Sequence, residues 1–117
     1  GESVKEVMDF YKITSDEIIV VYDDIDLDPG CIRIRKNGGP GTHNGMKSVV
    51  HFVGNHDFAR VRVGIGKPVE HEDLIEYVIG SIPDSAKEEL EKGVKLAVDA
   101  VDVIIKQNID VAMNKFN

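Results

Sequence analysis

Five consecutive apolar residues, Ile18-Ile19-Val20-Val21-Tyr22, run directly into an acidic stretch, Asp23-Asp24-Ile25-Asp26-Leu27-Asp28. An unbroken, β-branched run of that length reads as a strand with both faces covered, as in the middle of an α/β sheet. The rest of the chain fits around such a strand. Asp28-Pro29-Gly30 is a turn signal, and Ile32-Arg33-Ile34-Arg35 then alternates with period two, apolar on one side and basic on the other. A third strand is predicted over 58–65, where Val61, Val63 and Ile65 oppose Arg60, Arg62 and Gly64. Helices are predicted over 3–12, with Ser3 and Glu6 as a capping box, and over 44–52. A short amphipathic helix follows over 72–79, ended by Gly80. Ser85 and Glu88 offer a second capping box for a long helix carrying Leu90, Val94, Ala97, Val101, Ile104 and Ile105. Asn108 breaks that helix before a last turn through Met113 and Phe116. The predicted fold is a single α/β domain over 1–117, three-layer α/β/α, with a mixed, largely parallel sheet. Three strands are few for a sheet whose first member is covered on both sides, and the chain opens on Gly1 close to a helix start. The expectation is therefore a sheet truncated at the N-terminus, the C-terminal portion of a larger domain.

Composition narrows the class. Over 117 residues, 42% apolar content suffices for a core, and a 30% charged fraction fits a soluble globular domain. No apolar stretch approaches membrane-spanning length. The single Cys31 excludes an intramolecular disulfide and a Cys-rich metal site, so a reducing, cytoplasmic setting is expected. The net charge of −7 argues against nonspecific nucleic-acid binding, but its distribution is uneven. Between Gly30 and Lys67 stand seven basic residues (Arg33, Arg35, Lys36, Lys47, Arg60, Arg62, Lys67) against the single acid Asp57. That window carries +6 and the remainder −13, which suggests a localised anion site or, more plainly, a solvated basic face.

Three groups of residues carry possible chemistry. The first is the acidic run at the end of the first strand, where ligands of α/β sheets collect. A calcium loop on Asp24, Asp26 and Asp28 fails, since its sixth position is Pro29 and its twelfth Arg35. Two of these carboxylates remain a weakly specified magnesium site, and Asp26 and Asp28 suit a turn. Asp23 directly follows the apolar run and is expected to be the least solvated. A buried carboxylate needs a partner, here a histidine that it orients and makes more basic. The second group is Gly38-Gly39-Pro40-Gly41-Thr42-His43-Asn44-Gly45, whose glycines let backbone N–H groups approach a phosphate or carbonyl. It meets neither the phosphate-loop nor the dinucleotide template, and presents His43 and Asn44 at a helix start; Asn44 reads equally as a plain N-cap. The third is the basic set. If the second and third strands are neighbours, Arg33, Arg35, Arg60 and Arg62 form one stripe of guanidiniums suited to phosphates, or else pair with acidic helices. His51, His56 and His71 show no metal-ligand spacing.

With these residues in view, the sequence resembles the bacterial-type peptidyl-tRNA hydrolases. The resemblance rests on three blocks in order: residues 18–30 from Ile18 to Gly30, residues 38–48 from Gly38 to Ser48, and residues 58–68 from Phe58 to Pro68. It continues through Tyr77-Val78-Ile79-Gly80 to Pro83, nearly end to end. It implies hydrolysis of the ester between a peptide and the tRNA 3′ end, with the chain as the C-terminal two thirds of the domain, a monomer when complete. In the family a histidine is general base on water and an aspartate holds its ring. The aspartate matches Asp23, and the substrate-placing asparagine matches Asn44, beside Gly41 and His43. The tRNA phosphate contacts match Arg35 and Arg62, with Arg33 and Lys47 as neighbours. No metal or organic cofactor is implied. The family's base lies in a Thr-Arg-His-Asn type segment, which this sequence does not contain, and none of His43, His51, His56 or His71 takes its place in the matched order. The chain by itself is therefore expected to be inactive. The competing readings are a noncatalytic tRNA- or phosphate-binding module on the same scaffold and a protease-like or nucleotide-binding α/β protein of related layout.

Overall fold

The structure, a computed structural model, describes residues 1–67 and 84–117. Helix α1 spans Glu2–Tyr11, β1 Ile19–Asp24, β2 Ile32–Arg35, α2 Asn44–Val53, β3 Ala59–Gly64, α3 Asp84–Lys106 and α4 Ile109–Phe116. The sheet order is β1-β3-β2, with β1 parallel and β2 antiparallel to β3, so the sheet is mixed. The helices cover it from both sides, which makes the three layers expected. On one face Met46 and Val49 of α2 close over Phe58, Val20 and Tyr22, with Val4 of α1 alongside. On the other, Ala97, Ala100 and Ala112 of α3 and α4 pack on Ile32, Ile34 and Val61. Alanines at these contacts bring helix backbone close to the sheet, and burying Ile34 and Val61 completely contributes about 1.5–3 kcal/mol each.

The strands follow the period-two patterns closely, with two departures. β1 does not stop at Tyr22: Asp23 and Asp24 continue the parallel ladder opposite Val63 and Gly64, so both carboxylates ride on the strand itself. Nor is the apolar run covered throughout. α3 and α4 lie over β3 and β2, leaving Val21 on β1 48% exposed. The Ser3 capping box does not form either. The first helical bond runs from Lys5 N–H to the carbonyl of Gly1, which is the N-cap, and Ser3 lies within the helix. A capping box forms instead beyond the end of α1, where Thr14 opens a single 3-10 turn and its N–H donates to Glu17 Oε1 at 3.0 Å. At the other end Asn108 caps α4, its side chain accepting from Val111 N–H at 2.9 Å, where the break was expected. The predicted helix over 72–79, the Ser85 cap and the Tyr77–Pro83 part of the resemblance lie outside the residues whose side chains are described.

Asn117 closes the free edge of β2. Its Oδ1 accepts from Ile34 N–H at 2.7 Å and its Nδ2 donates to Ile34 O at 3.1 Å, the two bonds a neighbouring strand would make. Asn117→Ala is expected to lower stability by about 1–2 kcal/mol, measured by urea unfolding. A change within about 0.3 kcal/mol would mean that water serves that edge equally well.

Candidate active site

The acidic run is sorted by the register of the sheet. Asp24 sits on the same face of the sheet as Tyr22 and Arg62, one pleat beyond them and opposite Gly64. Its side chain is only 8% exposed and is fully bonded: Oδ2 accepts from Arg62 Nη1 at 3.1 Å, and Oδ1 from Asp26 N–H at 2.8 Å, closing the turn. Gly64 is required here because a Cβ would lie 2.1 Å from Asp28 O, where the turn folds back on the strand. Asp23, expected to be the least solvated carboxylate, is 39% exposed at its side chain. The correction has a simple cause: the buried member of the pair is the one that alternation places beside the guanidinium. Asp26 is exposed and faces Lys67 at 3.7 Å.

Asp23 does have a histidine partner, within the chain. His43 Nε2 lies 2.8 Å from Asp23 Oδ1, and His43 Nδ1 accepts from Met46 N–H at 3.0 Å. The imidazole is thus the N-cap of α2, the role first weighed for Asn44, which is instead the first helical residue. A backbone N–H can be received only by an unprotonated Nδ1, so neutral His43 carries its proton on Nε2 and donates it to Asp23. Both ring nitrogens are engaged, and neither is left to take a proton from water. The ring can fold over the helix start because residue 45 is glycine: a Cβ there would lie 3.0 Å from His43 Cε1. Tyr22 packs edge-on against it, centroids 5.1 Å apart. Upstream, Gly41 takes φ +56°, a left-handed conformation that lets the loop turn into α2.

The basic stripe forms only in part. β2 and β3 are neighbours, with Arg33 opposite Arg62 and Arg35 opposite Arg60. The four groups nevertheless have different fates: Arg62 is committed to Asp24, Arg60 is 1% exposed, and Arg33 and Arg35 are half-buried.

A cavity of about 540 Å³ lies between the end of β1, the face of β2 and β3, and the glycine loop. It brings together Asp23, Gly41, His43 and Asn44 at one part of its wall and Arg35, Arg60 and Arg62 at another. Asn44 is exposed, and its side chain makes no hydrogen bond among the described residues. Arg33 and Lys47, named as neighbours of the phosphate contacts, do not line it. Arg60 of the expected guanidinium stripe and Asp24 of the acidic run do line it, and so does Tyr22, which was named only as the end of the apolar run. Arg60 was visible as a member of the alternating strand, whereas the position of Tyr22 depends on the ring that meets it. No group of three or more His, Cys, Asp or Glu side chains among the described residues is arranged to hold a metal ion.

A three-layer α/β domain with its polar cavity beside the carboxyl end of a strand and the start of a helix belongs to the broad class of α/β proteins that bind ligands there. Comparison with known proteins narrows the class. The family described as peptidyl-tRNA hydrolase matches residues 1–117, and the chain belongs to that family. It is 47% identical over 117 residues to the peptidyl-tRNA hydrolase of Clostridium botulinum (strain Alaska E43 / Type E3), covering 60% of it. It is 43% identical to that of Geobacillus kaustophilus, covering 63%. The crystal structure of peptidyl-tRNA hydrolase from Acinetobacter baumannii superposes with a TM-score of 0.88 at 32% identity, over 97% of this chain and 58% of that one. The chain thus spans about 60% of the length of the curated relatives it matches, and all of it is matched.

Proposed function

We propose that this chain forms part of the active site of an enzyme that hydrolyses the ester between a peptide and the 3′ end of tRNA, returning free tRNA to translation. The observation that carries the reading is the shared cavity, with Asp23, His43 and Asn44 facing the same space as Arg35 and Arg62. In the reaction, water attacks the ester carbonyl and a general base takes its proton. The tetrahedral intermediate then collapses, releasing the peptide carboxylate and a ribose hydroxyl on the tRNA.

Each residue has a definite part in this scheme. Among the described residues Asp23 keeps Oδ2 unbonded while His43 fixes Oδ1, so the carboxylate is held in one orientation with an acceptor to spare. In the family pattern the base is a histidine outside this sequence, and Oδ2 is the acceptor to which its ring N–H would bond. That bond would keep the basic nitrogen turned toward water. Asn44 offers an amide for a substrate carbonyl, and Gly41 leaves the loop backbone open beside it. Arg35 and Arg62 supply guanidinium forks for tRNA phosphates. Arg33 and Lys47, outside the cavity, add attraction at longer range. The complete enzyme acts in this reading as a cytoplasmic monomer on substrate free in solution. No helix among the described residues is long and apolar enough to cross a membrane.

A second reading has its own support. With both nitrogens of His43 engaged, none of the described residues places an unengaged imidazole in the cavity, so this chain alone would bind tRNA without cleaving it. A single assay separates the two. The chain alone, and the chain joined to the part of the Clostridium botulinum relative that it does not span, are each given N-acetyl-aminoacyl-tRNA. The proposal expects binding without release from the first and multiple turnovers from the second. Binding by both with release from neither would establish the noncatalytic module.

A further inference from the structure

The loop that carries His43 and Asn44 touches little of the domain. A Cβ built at Gly38, Gly39 or Gly41 would meet no atom within 4 Å, so on those sides the backbone stands in open space. Gly38 and Gly41 take φ +141° and +56°, conformations that glycine enters and leaves at little cost. Among the described residues, 38–42 make one hydrogen bond to the body of the domain, from Gly38 N–H to His56 O at 3.3 Å. The far end is fixed through His43, on Asp23 and at the start of α2. Such a loop is placed only as well as its two attachments.

The first attachment is built on a buried cation. His56 O also accepts from Arg60 Nη2, at 2.7 Å, and a carbonyl has lone pairs for both donors. Arg60 is fully buried on β3, with its Cζ 4.5 Å from the centre of the buried Phe58 ring, which attracts the cation. Unlike Arg62, it has no carboxylate partner among the described residues. Its Nε and Nη1 meet no acceptor there, so His56 O receives the one hydrogen bond that this guanidinium makes. A bond from a charged donor is roughly twice as strong as one between neutral groups. It fixes one carbonyl, and through it both the connection that follows α2 and the loop that precedes it. We infer that Arg60 is a positioning residue for this site: by holding the carbonyl on which Gly38 is seated, it sets where His43 and Asn44 stand in the cavity. Gly38 and Arg60 both line that cavity. The role requires no ligand on Arg60. It rests on the hydrolase reading only for what Asn44 meets, the substrate carbonyl.

The test compares the chain with its Arg60→Met and Arg60→Lys variants by ¹⁵N relaxation. In Arg60→Met the order parameters of the amides between Gly38 and Asn44 should fall from about 0.85 to below about 0.6, while those of α2 and β3 hold. Arg60→Lys keeps a cationic donor on the same strand and should recover at least half of that difference. In the chain completed with the relative's remaining length, Arg60→Met should lower kcat/KM about tenfold or more. Made on top of Asn44→Ala, the same substitution should cost less than about twofold, because the group that the loop places is already gone. A purely structural Arg60 gives another pattern. Order then falls alike across the whole domain, or the loop keeps its order, or the cost in kcat/KM is the same with and without Asn44. Any of these overturns the inference. If Arg60→Met does not fold, Arg60→Gln, whose shorter side chain stops short of His56 O, takes its place. Relaxation reads no hydrolysis: a completed chain that is inactive in every form defeats the hydrolase reading, while the order of the loop still decides this one.

Discussion

Asp23→Asn, in the chain completed with the relative's remaining length, should lower turnover of N-acetyl-aminoacyl-tRNA by about 10²–10⁴-fold, the usual worth of general-base assistance. Binding of tRNA and the circular dichroism spectrum should stay as they were. The reasoning is atomic. The amide oxygen of Asn can still accept from His43 Nε2–H, so the cap of α2 and the 2.8 Å contact survive. The substitution removes the negative charge and turns the second acceptor, Oδ2, into an N–H donor. An imidazole that needs an acceptor there to hold its tautomer then meets a donor instead. Steady-state kinetics check the expectation, and unaltered turnover would remove Asp23 from the mechanism while leaving the fold intact.

Asp24→Ala should produce the largest loss of stability, about 3 kcal/mol by urea denaturation, with Arg62 left without its carboxylate beside the uncovered turn. Two groups lose an acceptor at once, Arg62 Nη1 and Asp26 N–H. Arg62 is itself 31% exposed at its side chain, so water recovers part of the loss, which holds the figure at the lower end of the range for broken buried pairs. Asp24→Asn keeps an acceptor for the turn and should cost less than half as much. Equal losses from both variants would show that the charge, and not the turn, sets the stability of this corner.

The contrast between these neighbouring aspartates shows how far the sequence could be read. The strands, the breaks at Asn108 and the glycine loop were legible because alternation and turn chemistry are local. Asp23 was expected to be buried and to serve a histidine from outside the sequence, whereas the histidine it meets in the structure is His43 and its own side chain is 39% exposed. The identity of that histidine was not legible. The matched order of motifs directed attention away from His43, and nothing local reveals that the ring caps α2 by Nδ1 and reaches back 20 residues by Nε2. The same limit applied to burial: Asp23 and Asp24 are adjacent letters, and only the pairing with β3 shows which of them meets Arg62.

The amino-acid sequence by itself determined the class of fold, the place of the polar loop and the concentration of positive charge between Gly30 and Lys67, because periodicity, turn residues and net charge act over a few residues at a time. Tertiary structure alone decided which charges are neutralised. Two strands far apart in the chain set four arginines face to face, and among the described residues one buried carboxylate, Asp24, pairs with one of them, Arg62.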